Sequence, residues 1–156
     1  MSRRLDPTIR LFTPSVPVPE SDDDVRATVL FGVWDRPWGW EASFRLGRPV
    51  LLRRRDAEVV EWLVEVVEVL AVPFESAEAF RDLLVQRWDP SIGPISGGSP
   101  SPGFGVAWRS APVRRLRTAR PEGAGPLPEW CQVGDLDDAW QDALAAGPAS
   151  GAIGPL

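Results

Sequence analysis

The chain is predicted to fold as an α+β domain, with helices packed on one face of an antiparallel sheet. Three observations lead there. Stretches of alternating apolar and polar residues fill the first third, the apolar period lengthens to helical spacing at three later places, and proline or glycine punctuates the joins. With 156 residues, 44% of them hydrophobic and 25% charged, the chain has the size of one soluble domain with its own core. That domain is expected over residues 1–147, in the order β-β-β-β-α-α-β-β-α, followed by a flexible tail at 148–156.

Residues 8–13 alternate and predict the first strand. A proline-punctuated linker at 14–19 follows, and then the acidic run from Glu20 to Asp24, read as a solvated turn. Across 25–33 the residues Val25, Ala27, Val29, Phe31 and Val33 share one parity, the pattern of a half-buried strand. Residues 35–39 turn the chain, and 40–46 and 49–52 make two more strands around Gly47 and Arg48.

From Asp56, placed as an N-cap, the residues Val59, Trp62, Leu63, Val66 and Leu70 return at helical spacing, so a helix is expected up to Pro73. Its many valines disfavour a helix, but Glu58, Glu61, Glu65 and Glu68 recur as a helical stripe. A second helix fits 76–88, capped by Ser76, apolar at Phe80, Leu83, Leu84 and Trp88, and stopped by Asp89-Pro90. Nine of the sixteen residues at 90–105 are Gly or Pro, which predicts a long surface loop. Residues 103–108 and 113–116 then predict a hairpin turning at Ser110, Ala111 and Pro112. A last helix over 135–146 gathers Leu136, Ala139, Trp140, Ala143 and Leu144 on one face and sets Asp135, Asp137 and Asp138 at its positive end.

Composition removes much chemistry. The chain has no His, no Tyr and no Lys, so all 17 basic residues are Arg. Without His there is no ordinary neutral-pH proton shuttle, no imidazole ligand and no Ser-His-Asp or Cys-His pair. Without Lys there is no Schiff base and no phosphate-loop lysine. Cys131 alone can neither close an intramolecular disulfide nor build a thiolate zinc site, which suits a reducing compartment. Neither a cofactor nor a metal site is expected. The N-terminus lacks the apolar run of a signal peptide, and Glu61, Glu65 and Glu68 break the longest apolar stretch, so the protein is expected to be cytoplasmic with no membrane partner.

Charge is unevenly placed. Residues 1–120 balance at +1, residues 122–156 at −6, and the whole chain at −5. A net-acidic surface disfavours nucleic acid and steers towards a protein partner with a basic surface.

The tryptophans Trp34, Trp38 and Trp40 around a turn are the most unusual local feature. Aromatic rings there can anchor a partner, with Trp38 and Trp40 the candidates, or pack in the core and edge of a hairpin, which strands favour. The carboxylates of Glu58, Glu61, Glu65 and Glu68 repel one another on a helix face unless they are solvated, paired with arginines such as Arg53 to Arg55, or kept for a basic partner. Solvation is the favoured reading, and a metal pair made of Glu61 and Glu65 is rare without histidine. Arg114, Arg115, Arg117 and Arg120 could bind phosphate, but are expected to pair with the acidic last helix. Residues 97–105 are rich in glycine but are no phosphate loop, because no lysine follows and their prolines remove amide donors. Cys131, in an acidic segment, is read as structural, with its thiol pKa raised.

The residues Phe80 to Pro90, then Ser96, then the strand at 103–108 resemble the latter part of immunity proteins that protect bacteria from their own polymorphic toxins. In that group a helix ending in Trp-x-Pro leads by a loop into a glycine-started aromatic strand, here Gly103-Phe104. The resemblance implies a cytoplasmic, non-enzymatic protein that blocks a toxin by surface complementarity. The residue reading points the same way, to a small acidic binding domain whose stripe Glu58, Glu61, Glu65, Glu68, or else the run from Glu20 to Asp24, meets a basic surface and whose Trp38 or Trp40 anchors it. The alternatives are a small Asp/Glu-dependent enzyme or ligand-binding domain with a tryptophan-lined pocket under the 90–105 loop, and an adaptor that pairs through the strand edge at 8–13.

Overall fold

A computed structural model gives the fold and describes residues 3–14, 17–35, 45–88, 92, 102–128 and 131–147. The fold is α+β. Among the described residues its six strands are β1 (Arg10–Phe12), β2 (Val29–Trp34), β3 (Pro49–Arg53), β4 (Val59–Phe74), β5 (Gly103–Ala119) and β6 (Cys131–Gln132). They form one sheet in the order β2-β5-β4-β3-β1-β6. The helices are α1 (Asp22–Ala27), α2 (Ala77–Arg87) and α3 (Asp138–Ala146). β1 and β3 run parallel, and the remaining neighbours are antiparallel.

The largest departure from the sequence reading is residues 56–72, which form no helix: 56–58 turn the chain and 59–72 are most of strand β4. Strand β4 lies between β5 and β3, and from Val60 to Val64 it is buried on both sides. A strand covered on both faces reads as a continuous apolar run with no clean alternation, and β-branched valines fit it far better than they fit a helix. Likewise 103–108 and 113–116 are not two strands of a hairpin. They belong to β5, which pairs with β4 along almost its whole length and carries Ser110, Ala111 and Pro112 within the ladder. Register shifts between Val60 and Trp62, Leu63 and Val64, and Val66 and Glu68 let these two long strands stay paired.

The acidic run is the start of a helix. Ser21 Oγ accepts from the Asp24 N–H at 3.1 Å, and three aspartates fill the first turn, where the helix dipole favours them. Residues 25–27 therefore belong to α1, and the predicted strand at 25–33 begins only at Val29. Helix α2 is present with Ser76 as its cap, its Oγ accepting from the Ala79 N–H at 3.1 Å. Helix α3 starts at Asp138, after a 3₁₀ turn at Val133–Asp135. Strand β1 is hydrogen-bonded to β3 on one side and β6 on the other, so it offers no free edge for an adaptor. Of the predicted strand at 40–46, residues 45 and 46 are described and are not in a strand; residues 40–44, the segment 93–101 and the tail at 148–156 lie outside the described residues.

Alternation along β4 and β5 sorts the core. Trp62, Val64, Val66, Val106 and Trp108 face one side, where Val25 of α1 packs on them and Phe12 meets Trp108 edge-on at 4.7 Å. Leu63, set between Trp62 and Val64, faces the other side with Leu51 and Leu116, under Trp140 and Leu144 of α3. Ala107, set between Val106 and Trp108, also faces that side, with Val29 and Phe74 under Phe80 and Leu84 of α2. Helices α2 and α3 thus share one face at opposite ends. Helix α1 covers the other, so the helices are not confined to a single face.

Candidate interaction site

With Glu61, Glu65 and Glu68 in β4 and Glu58 in the turn before it, the four glutamates do not form a helical stripe, and each has a different environment. Glu58 accepts from the Leu127 N–H at 3.0 Å and from Arg120 at 3.3 Å. Glu68 uses both oxygens, accepting from Trp88 Nε1 and from Arg109 Nη1, each at 3.0 Å. Glu61, whose side chain is 4% exposed, accepts from Arg54 Nη2 at 2.7 Å. The favoured expectation of a solvated stripe therefore fails for these three, which are paired with arginines. Glu65 is exposed, and among the described residues its carboxylate has neither a hydrogen bond nor an ion pair.

Glu65 stands on an uncovered part of the sheet. Its neighbours Val64 and Val66 belong to the cluster under α1, so its side chain leaves from the face that carries α2 and α3. Val67 is the extra residue of the irregularity between Val66 and Glu68, and is 47% exposed. Across on β5, Val113 is the extra residue between Pro112 and Arg114, which pair with Val64 and Leu63, and is 55% exposed. Beyond the start of β3, Gly47 donates to the Val66 carbonyl at 2.8 Å, which brings the 64% exposed Leu46 alongside. Leu46, Glu65, Val67 and Val113 thus come close together along the backbones of three neighbouring segments, a strip with polar groups at two ends. Towards α2 it is closed by the Trp88–Glu68–Arg109 group, and towards α3 by Arg114, which donates to the Leu144 carbonyl at 3.1 Å.

The basic residues of β5 do not pair with the acids of α3. Arg114 binds that helix's carbonyl end, Arg120 binds Glu58, and Arg115 donates to the Glu20 carbonyl. Arg117 is exposed, with a left-handed φ of 49°. The α3 acids Asp138 and Asp142 are instead bridged by Arg4, at 3.1 and 2.9 Å. The two carboxylates stabilise the Arg4 guanidinium and raise its pKa.

On the α1 side, a cleft of about 320 Å³ is lined by Pro17, Val18, Pro19, Glu20, Arg54, Asp56, Glu61 and Arg115. It is a different place from the tryptophan-lined pocket expected under the 90–105 loop. The irregularity between Val60 and Trp62 builds it. Trp62 Nε1 donates to the Pro19 carbonyl at 2.7 Å, and the adjacent Glu61 lines the cleft beside Pro19, although strict alternation would send the two side chains to opposite faces. The Arg115 guanidinium lies over the Trp62 ring, 4.8 Å from its centre. No sequence signal marked this cleft, because the bulge depends on how β5 is paired.

Cys131 is buried between β1 and the acidic 3₁₀ turn. Burial, aided by Asp135, pushes its thiol up to about 11, which fits a packing role. Trp38 and Trp40 lie outside the described residues. Among the described residues no three Asp, Glu or Cys side chains converge as metal ligands, and no helix is long and apolar enough to cross a membrane. Comparison of the chain with protein-family models, with curated proteins and with solved structures returns no match.

Proposed function

We propose that this chain acts by binding another protein, as an immunity or antitoxin-type inhibitor working through surface complementarity, and that the strip between α2 and α3 is its docking surface. One observation carries the reading: Glu65, with no cationic partner among the described residues, has three exposed aliphatic residues, Leu46, Val67 and Val113, close by along the backbone ladder. An apolar patch rimmed by polar groups is the usual form of a protein contact. The lone carboxylate selects a partner that presents a basic group within an apolar surface, and the net charge of −5 steers the same class of partner. In this reading Glu58, Glu61 and Glu68 shape the surface from within, and Glu65 alone of the four contacts the partner.

The test is differential capture from native lysate. Wild type, Glu65→Arg and Val113→Asp are compared with Asp23→Ala, an exposed control on the α1 side, after matched thermal melts show that all four fold. A basic protein held by wild type and the control but lost from both strip variants supports the reading. The same proteins held by all four would overturn it.

A further inference from the structure

The cleft on the α1 side lies on the opposite face of the sheet from the strip and does not depend on the protein-binding reading. Its charges do not cancel. Arg54 and Glu61 form an ion pair at 2.7 Å, but among the described residues Arg115 has no carboxylate partner, and Glu20 and Asp56 have no cationic one. One cation and two anions therefore remain unneutralised around a single space of about 320 Å³.

The cation is fixed in place. Arg115 sits opposite Trp62 in the β4–β5 ladder, stacks on its ring at 4.8 Å and is held by the Glu20 carbonyl through Nη1. Its Nε is buried and, among the described residues, neither Nε nor Nη2 has an acceptor, so the guanidinium keeps donor capacity in reserve. A planar guanidinium with spare N–H groups is suited to a carboxylate. The exposed Glu20 and Asp56 at the same cleft suit an ammonium group, and they disfavour a simple anion such as phosphate. Pro17, Val18 and Pro19 give the cleft an apolar wall, and its volume is at the low end for a small-molecule site.

We propose that this cleft is a binding site for a small zwitterion of the free amino-acid class. The ligand's carboxylate is received by Arg115 and its ammonium group by Glu20 and Asp56, while the Arg54–Glu61 pair holds the floor. The site recognises its ligand without a bond being made or broken.

Titration calorimetry of the full chain tests this with each free L-amino acid in turn, alongside the matching amine that lacks the carboxylate, the matching acid that lacks the amino group, and inorganic phosphate. At least one amino acid is expected to bind, and its amine and its acid to bind about tenfold more weakly or worse, because each leaves one charged hydrogen-bonding group unmet. Arg115→Gln is expected to erase the preference for the amino acid over its amine. Asp56→Asn, at an exposed position that leaves the strands intact, is expected to erase most of the preference over the acid, which keeps the proposal testable if Arg115→Gln fails to fold. The proposal is overturned if no amino acid binds wild type, if phosphate or the acid binds as tightly as the best amino acid, or if either folded variant keeps the wild-type preferences.

Discussion

Burial changes what single side chains do in this protein, and Cys131 shows it most cleanly. Its thiol stays protonated in the folded chain up to a pKa of about 11, against an ordinary value of 9.0 once unfolded. Between those values the unfolded state binds fewer protons than the folded one, so stability falls as pH rises through the window from 9 to 11. The chain has no Lys and no Tyr, so no other side chain ordinarily titrates there. Urea unfolding at a series of pH values should show this decline, and Cys131→Ala should flatten it whatever the cost to packing. A decline of equal slope in the variant would refute the assignment. Removing Arg54 should also be costly, by about 1–3 kcal/mol in the urea-derived stability, because Glu61 is left buried with no compensating charge. The absence of His and Lys was plain in the sequence, as was a structural role for Cys131. Which of four similar glutamates is buried, paired or free was not, because it depends on bulges and on arginines far away in the chain.

Elements were legible where local chemistry decides them. Ser76 announces α2 and is its cap, and Ser76→Ala should cost about 1 kcal/mol, read as a lowered urea midpoint with an unchanged slope. Strand β3 and the amphipathic part of α3 also follow from local pattern. Strand β4 did not, because its apolar spacing comes from a sheet that covers both its faces and from bulges that break alternation, and together these mimic a helical period. The proline and serine inside β5 look like a turn, yet pairing with β4 overrides them. Close packing of α2 on β5 is testable at Gly105, where an added Cβ would lie 2.5 Å from the Phe80 ring. Gly105→Ala should destabilise the protein by about 1–3 kcal/mol, since ring or helix must shift to admit it. An unchanged melting curve would mean that α2 is not seated as described.

At the scale of the molecule, the sheet divides the surface into two faces. The segment from Pro17 to Glu20 lines the cleft on one, and Glu65 stands between α2 and α3 on the other. Apolar periodicity made the α+β class readable and composition the acidic balance, but neither showed the exposed strip, whose residues lie on three segments joined only by strand order. If charge guides docking there, the association rate with a captured partner should fall as salt is raised while the dissociation rate changes less, a pattern that stopped-flow mixing can read. The most direct measurement is carboxyl labelling of the protein alone and in complex, read residue by residue by mass spectrometry. Labelling of Glu65 should be suppressed when the partner is bound, with Asp23 on the α1 side labelled equally in both states. Equal labelling of Glu65 in the free and bound protein would show that the partner docks elsewhere.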